Sequence, residues 1–166
     1  MQKAKFFLDT EFIESGPNKP IQLISIGIVA EDGRSMYAIS SEFNGDDASQ
    51  WVKENVICNL ENWKHRFTLQ QIADQVLGFV RHGLPIGAPI PEIEFWGYYA
   101  DYDWVVFCQI FGTMMDLPKG FPMYCRDIKQ VCDERGNSEL PKQETKEHNA
   151  LNDAIWNKKA FELLAG

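Results

Sequence analysis

The sequence predicts an α/β fold in which helices flank a mixed β-sheet. Two observations predict it: the first quarter of the chain reads as an antiparallel strand meander, and the remainder places one further strand among amphipathic helices. The 166 residues include 45% from the hydrophobic set and 13% aromatic residues, which is enough for one packed core. We therefore expect a single domain over residues 1–166.

Short apolar runs predict the strands. Residues 4–9 form an apolar run that ends in an acid, which is typical of a buried strand with a carboxylate at its C-terminal end. Residues 21–30 are rich in β-branched side chains, residues 31–33 are a hairpin turn signal, and residues 35–41 can return as a third strand. A fourth strand is expected at residues 92–99.

Apolar residues at helical spacing predict five helices. They are expected over residues 48–56, 69–81, from residue 102 onward, 127–134 and about 149–164. Thr68 is a suitable N-cap for the second helix. The third helix should bury a stripe formed by Trp104, Phe107, Cys108, Phe111, Met114 and Met115. The resulting element order is βββ-α-α-β-α-α-α.

The formal net charge of −8 limits the kind of nucleic-acid binding that the chain supports. A protein that binds long stretches of nucleic acid through many phosphate contacts needs a basic surface, so that class is disfavoured. A small binding site is compatible with the charge, because acidic side chains that hold divalent cations reverse the local sign and the metal then attracts phosphate.

The cysteines and the apolar runs indicate where in the cell the protein is expected. No two cysteines have C-x-x-C spacing and the three histidines lie far from them, so we expect free, mostly packed thiols rather than a zinc site. The cysteines are Cys58, Cys108, Cys125 and Cys132. No apolar run is long enough to cross a bilayer, and the N-terminal run is too short for a signal peptide. We expect a cytoplasmic protein that does not bind membranes.

Asp9 and Glu11 are the first candidate functional pair. They stand two residues apart at the predicted end of a strand, so both side chains project from one face and can share a pair of metal ions. The same Asp-Thr-Glu segment also fits an ordinary turn or helix N-cap. Taken alone, the pair favours that second interpretation.

A third candidate carboxylate lies near the start of the third predicted helix, where either Asp101 or Asp103 could supply it. Asp101 stands where an N-cap is expected, just ahead of the apolar stripe, and capping is enough to explain it. Asp103 falls inside the first turn, where it is not the cap, so we expect Asp103 to be the metal ligand. The alternative for Asp103 is a surface acid stabilised by the helix dipole.

His148 and Asp153 form the last candidate pair, at the start of the C-terminal helix. Five residues is a poor spacing for one helix face, which indicates that His148 leans in from the loop or first turn while Asp153 projects from the next turn. A histidine at a helix N-terminus tends to stay neutral, as a general base must. The alternative is a solvated histidine in a charged segment, and we assign His65 and His82 to the surface.

Three motifs in order carry a family resemblance: F-x-D-T-E-F, Y-D-W-x-x-x-C-Q and H-x-A-L-x-D. They resemble the exonuclease motifs of the DEDDh branch of the DnaQ-like nucleases, which have the RNase H fold. The segments DTEFIESG, LISIGIVAEDGR, ADYDWVVFCQIFG and HNALNDA are most similar to RNase AS, a bacterial family of 3′-exoribonucleases directed at polyadenylate tails and single-stranded 3′ ends of RNA. The resemblance spans nearly the whole chain and implies an RNase H-like sheet.

The resemblance implies a role for each candidate residue. The metal ligands would be Asp9, Glu11, Asp103 and Asp153, with His148 as the general base. Four carboxylates without a thiolate favour Mg²⁺, with Mn²⁺ as a substitute, and two such ions would clamp the terminal phosphodiester to release nucleoside 5′-monophosphates. The substrate-binding residues would be Thr10, Glu11 and Phe12, with Phe12 against the terminal base or, alternatively, only packed.

The resemblance also implies a homodimer that acts on single-stranded 3′ ends or overhangs of RNA. Two other functions fit the same residues. One is a 3′-to-5′ exodeoxyribonuclease of the proofreading or repair type, with DNA as the substrate. The other is a non-catalytic RNase H-fold module that binds nucleic acid, in which the acids are only surface charge. No role toward substrate is assigned to Trp104.

Overall fold

The computed structural model of the chain describes residues 3–60, 64–136, 139–145 and 147–166. Its centre is a five-stranded mixed sheet with the strand order β3-β2-β1-β4-β5. The strands are β1 (Ala4–Ile13), β2 (Gln22–Ala30), β3 (Ser35–Ile39), β4 (Ile93–Gly97) and β5 (Arg126–Asp127). β1, β2 and β3 form the predicted antiparallel meander, whereas β4 runs parallel to β1 and β5 parallel to β4. The predicted α/β fold with a mixed sheet is confirmed.

Among the described residues, five α-helices cover the sheet, close to where the apolar spacing predicts them. They are α1 (Gln50–Asn55), α2 (Leu69–Val80), α3 (Asp101–Phe111), α4 (Ile128–Glu134) and α5 (Ala150–Ala165), with 3₁₀ turns at Gly45–Asp47, Ile57–Asn59 and Met114–Asp116. Helix α2 begins at the expected N-cap, where Thr68 and Gln71 form a reciprocal capping box. Within the described ranges, no helix has both the length and the apolar character to cross a bilayer.

β1 is buried on both faces, and its alternation decides which side chains meet which helices. Phe6 and Leu8 pack in the core that α2 and α3 cover, whereas Phe7 packs with Ala160 and Leu164 of α5. Side chains at every second residue share a face, so the residues that follow Phe7 in this alternation project toward α5. Asp9 and Glu11 of the central strand β1 therefore project toward α5.

The structure corrects the predicted end of β1. Residues 4–9 were expected to form the strand, but β1 continues to Ile13 because its antiparallel pairing with β2 extends to Ile13↔Gln22. The pairing register shifts between Glu11 and Phe12. Asp9 and Glu11 therefore lie inside the strand rather than at its end, and they pair with Gly27 and Ser25 of β2.

One further prediction about an element was wrong, and one strand was missed. The apolar stripe of α3 ends at Phe111, because Gly112 takes a φ of 123° that stops the helix, and the next residues form a separate 3₁₀ turn. Met114 and Met115 are consequently exposed rather than packed. Strand β5 was not predicted, since its two residues contain no apolar run.

Candidate active site

Three carboxyl groups meet on the α5 side of the central strand. Asp9 and Glu11 project from the same face of β1, and Asp153 comes from the first turn of α5. Each offers a carboxylate oxygen, and these three oxygens all lie within 4.8 Å of one another. Residues from opposite ends of the sequence are thereby close enough to bind a shared cation.

Gly27 on β2 is what allows α5 to come this near. It is the direct cross-strand partner of Asp9. A Cβ atom at position 27 would lie 2.3 Å from the carbonyl oxygen of Ala150, so any larger residue would push the helix start away from the sheet. Farther along α5, the buried Asn157 donates a 2.8 Å hydrogen bond to the carbonyl oxygen of Leu8. The helix is thus fixed against the sheet on both sides of Asp153, against β2 at Ala150 and against β1 at Asn157.

Asp103 reaches the same region from α3 and is buried. Its Oδ1 accepts two hydrogen bonds from Thr10, at 2.8 Å from the backbone N–H and 2.6 Å from the hydroxyl. Because Thr10 stands between Asp9 and Glu11, these bonds tie the first turn of α3 to the acidic part of β1. Asp103 is a charged neighbour of the three-carboxylate group but is not a member of it.

Asp101 is not the N-cap of α3, contrary to the sequence prediction. The cap is Ala100, which makes no side-chain capping bond, and its backbone N–H donates to Asp127 Oδ2 at 2.8 Å. Asp127 supplies an acceptor that the local sequence of α3 does not contain. The structure nevertheless separates the two acids of α3 clearly, since Asp101 is exposed and Asp103 is buried.

The four acids are hard to ionise together. Burial is the largest cause for each; it raises the pKa of Asp9 well above its usual range and that of Glu11 to about 8. Repulsion from Asp103 and Asp153 adds to both shifts. Burial raises the pKa of Asp103 to about 6 against the opposing Thr10 hydrogen bonds, and it also raises the pKa of Asp153. An all-oxygen donor set of this kind fits Mg²⁺ or Mn²⁺, whose charge would stabilise the ionised forms.

His148 stands at the edge of this acidic group, on the segment that precedes α5. Its φ of 62° is left-handed, and its backbone N–H donates to Asp153 Oδ2 at 3.1 Å. The exposed imidazole meets the Trp51 ring in a T-shaped contact at 4.7 Å. The backbone turn therefore holds His148 beside Asp153 on the segment before α5, where the sequence spacing places it, and its ring is exposed to solvent.

A cavity of about 620 Å³ opens over Asp9, His148 and Asp153. Its walls include aromatic side chains that the sequence did not single out, namely Tyr98, Tyr99 and Trp156. Tyr98 packs edge-on against both of the others, at 4.6 and 5.0 Å between ring centroids. Tyr99 is exposed and has a φ of 54°. Such rings offer flat surfaces on which nucleobases can stack.

Thr10 and Phe12, which follow Asp9 and Glu11 in β1, have different surroundings. Thr10 is buried and its hydroxyl is bound to Asp103. Phe12 is partly buried, and its ring lies parallel to that of Tyr102 at 5.8 Å. Substrate contact by Thr10, Glu11 and Phe12 stays a prediction. Trp104, which the sequence left unassigned, is a core residue stacked on Phe107.

Sequence reasoning missed Gly27, Gln143 and Asn157. Gln143 donates from its side-chain amide to Asp153 Oδ1. A glycine inside a run of β-branched residues is a usable signal for close backbone approach, and position 27 carried it. Neither Gln143 nor Asn157 stands in a distinctive local pattern, because each acts on a residue that only the fold brings near.

Residues 4–165 match the family model described as the 3′-5′ exoribonuclease Rv2179c-like domain. The chain is similar to the 3′-5′ exoribonuclease Rv2179c of Mycobacterium tuberculosis strain H37Rv, with 38% identity over 165 residues that cover 96% of this chain and 92% of the relative. It has the same identity and coverage to the 3′-5′ exoribonuclease MT2234.1 of strain CDC 1551.

Two solved structures resemble the fold. One is S. pombe Pop2p in its Mg²⁺- and Mn²⁺-bound form, with a TM-score of 0.61 and 14% identity over 95% of this chain and 81% of that chain. The other is cell-death related nuclease 4 (CRN-4), with a TM-score of 0.55 and 14% identity over 98% of this chain and 64% of that chain. At this identity the likeness concerns the fold alone, and it confirms the predicted RNase H-like architecture.

Proposed function

The chain belongs to the family of 3′-5′ exoribonuclease Rv2179c-like domains, and on this premise we propose that it is a metal-dependent enzyme that removes nucleoside 5′-monophosphates from RNA 3′ ends. The observation that carries the proposal is the meeting of Asp9, Glu11 and Asp153 within 4.8 Å. Asp103 and His148 stand beside that group, so all five residues of the predicted catalytic set face one region.

The metal would be Mg²⁺, with Mn²⁺ as a substitute, and two ions per site are proposed from the four carboxylates. The close group of three would hold the ions, and Asp103 would join through the carboxylate that Thr10 orients. The chemistry that such ions supply is a lower pKa for the attacking water and stabilisation of the leaving 3′ oxygen. The burial and mutual repulsion of these acids support a metal site. Their pKa values are raised, and a bound cation would stabilise their ionised forms.

His148 would accept the proton of the attacking water as general base. Its ring is exposed at the cavity, while its backbone N–H is bound to the Asp153 carboxylate. The imidazole is therefore held next to the proposed metal site without being one of the close ligands. Its side chain has room to meet a water molecule at the terminal phosphodiester.

The substrate would be a single-stranded RNA 3′ end, with a polyadenylate tail as the preferred one. A short footprint suits a chain with a net charge of −8, since only a few phosphates need to be bound. Stacking of the last bases on Tyr98 and Tyr99 would supply affinity that charge does not. Polyadenylate tails would be bound better than pyrimidine tails, because purines offer the larger stacking surface.

The test is digestion of 5′-labelled oligonucleotides by wild-type protein and Asp9→Asn. Matched RNAs with A, C or U tails and a DNA of the same sequence are compared with Mg²⁺ and with EDTA. We expect a ladder that shortens from the 3′ end, fastest on the A-tailed RNA, lost in EDTA and in the variant. Faster loss of DNA would indicate the exodeoxyribonuclease instead, and RNA binding without metal-dependent cleavage would indicate the non-catalytic module.

A homodimer is proposed as the working form. Large apolar side chains are exposed on and after α3, including Val105 at 48% and Met115 at 78%, and exposed apolar surface of this kind is typical of a protein interface. Light scattering after size exclusion tests it, with Val105→Glu expected to shift the mass toward the monomer. An unchanged monomeric mass for the wild type would contradict it.

A cytoplasmic location is proposed as well. All four cysteines are free thiols, and Cys58 is exposed, which suits a reducing compartment. Cell fractionation with an antibody against the chain checks this. Recovery in a membrane or extracellular fraction would contradict it.

A further inference from the structure

Both carboxylate oxygens of Asp153 are bound by the segment that leads into α5. Oδ1 accepts from the side-chain amide of Gln143, and Oδ2 accepts from the backbone N–H of His148 at 3.1 Å. The Asp153 carboxylate thus binds both Gln143 and His148, which are five residues apart. That carboxylate is also the one that meets Asp9 and Glu11.

The start of this segment is anchored independently of the acids. Trp156 of α5 donates from its indole N–H to the carbonyl oxygen of Pro141 at 2.8 Å. Leu140 packs against the core on the α5 side of the sheet. Because these contacts fix the backbone two and three residues before Gln143, the amide of Gln143 is delivered to Asp153 from a supported position.

We propose that Gln143 is a positioning residue for the Asp153 carboxylate in the metal site. The inference rests on the proposed function, in which Asp153 is a metal ligand. A carboxylate oxygen has two acceptor sites, so Oδ1 accepts from Gln143 and keeps a second site for a cation. The amide adds a donor without adding charge, which suits a place beside four acids whose pKa values are already raised.

The hydrogen bond from Gln143 helps to orient the Asp153 carboxylate. Without a donor at position 143, Oδ1 of Asp153 would lose the hydrogen bond from Gln143, while the backbone N–H of His148 would still donate to Oδ2. Groups that orient a metal ligand in this way typically change metal affinity by about 10-fold to 100-fold when they are removed. Gln143 thus acts on the metal through Asp153.

The experiment measures Mn²⁺ affinity by electron paramagnetic resonance on free protein, with no RNA present. Gln143→Met keeps the length of the side chain and removes the donor, so we expect about 10-fold to 100-fold weaker Mn²⁺ binding. Gln130→Leu is the matched control, since Gln130 is exposed on α4 and its loss should leave the affinity unchanged. Exonuclease rates at limiting and excess Mn²⁺ give a second readout, with excess metal restoring most of the rate of Gln143→Met.

The outcomes separate the inference from its premise. If wild-type protein binds no Mn²⁺, the proposed function fails. If wild type binds Mn²⁺ and Gln143→Met binds it equally well, Gln143 does not position Asp153, even where activity falls because the loop is loosened. Should thermal unfolding show that Gln143→Met is unfolded, Gln143→Ala takes its place with the same expected loss, and unchanged affinity there overturns the inference.

Discussion

The two sides of the candidate site are built differently. Asp9 and Glu11 form the strand side: they lie within β1, the central strand, which pairs with β2 on one edge and β4 on the other. Gln143 and His148 form the loop side: they lie before α5 outside any regular element, and His148 has left-handed backbone. Asp153 joins the two sides.

This difference suits the two kinds of chemistry. Metal ligands need a fixed arrangement of oxygens, and a central strand with buried neighbours supplies it. A general base must meet a water molecule and a mobile RNA end, and an exposed ring on a short loop can adjust to both. The comparison predicts that changes on the strand side affect folding and metal binding together, whereas changes on the loop side affect metal affinity or turnover with the fold intact.

The largest effect is expected from Gly27→Ala on the strand side. Its new methyl group would lie 2.3 Å from the Ala150 carbonyl oxygen, so α5 must move and take Asp153 with it. We expect a loss of about 3 kcal/mol in the free energy of unfolding, together with loss of activity. Urea unfolding measures the stability.

The control for this change is Gly78→Ala on α2. A Cβ atom there meets nothing within 4 Å, so alanine should stabilise the helix by about 0.5–1 kcal/mol. If Gly27→Ala is as stable as Gly78→Ala, α5 does not depend on the close contact with β2.

His148→Asn should remove turnover while leaving the fold and the metal site intact. Asparagine tolerates left-handed backbone and keeps the N–H that donates to Asp153, but it is not a general base at neutral pH. We expect kcat to fall by about 10²-fold to 10⁴-fold with Mn²⁺ affinity unchanged. A kcat within a few-fold of wild type would place the proton acceptor elsewhere.

The raised acid pKa values predict an unusual pH dependence for metal-free protein. Glu11 holds its proton in the folded state up to about pH 8, whereas the unfolded chain releases it near 4.5. The folded state then binds more protons between these values, so stability is greatest at the acid end and falls as pH rises, by up to about 1.4 kcal/mol per pH unit for such a carboxyl.

Urea unfolding at pH 6, 7 and 8 in EDTA and in Mg²⁺ checks this. Mg²⁺ should raise stability most at pH 8, where the folded acids are forced to ionise. Stability that rises with pH in EDTA, or an Mg²⁺ effect that is the same at all three values, would contradict the proposed metal site.

The smallest effect is expected from Trp51, whose ring contacts the imidazole of His148 on the loop side. Trp51→Ala should lower kcat/KM by about three-fold to ten-fold, because the ring loses one neighbour while its backbone anchor remains. Trp51→Phe keeps an aromatic ring and should recover most of the loss. Steady-state kinetics on an A-tailed RNA measures both, and equal effects of the two variants would show that the ring contact is unimportant.

Local patterns predicted most of the fold, for a physical reason. Helix α2 has both its apolar face and its Thr68 capping box within its own sequence, so its start was predictable. Strand β5 has no such signal; Arg126 and Asp127 are extended because they pair with Trp96 and Gly97 of β4. The end of β1 was likewise set by the length of its partner strand.

The candidate site likewise contains residues that the local sequence predicts and residues that it does not. The acids and the histidine could be predicted because their residue types and order are chemically distinctive. Their supports could not, since the contact of Gly27 with Ala150 and the bond from Asn157 to Leu8 each join residues more than a hundred positions apart. For α3 the choice of Asp103 agrees with its burial, although the capping role expected of Asp101 was wrong.

The two acids of α3 offer the most direct test of the central claim, that a cluster of carboxylates beside His148 supports metal-dependent removal of RNA 3′ nucleotides. Asp103→Asn and Asp101→Asn change the same group two residues apart, one buried and the other exposed. Single-turnover digestion of a 5′-labelled A-tailed RNA in Mg²⁺ should slow by at least about 10²-fold for Asp103→Asn and stay at the wild-type rate for Asp101→Asn. Equal rates for the two variants, or the larger loss for Asp101→Asn, would contradict the claim.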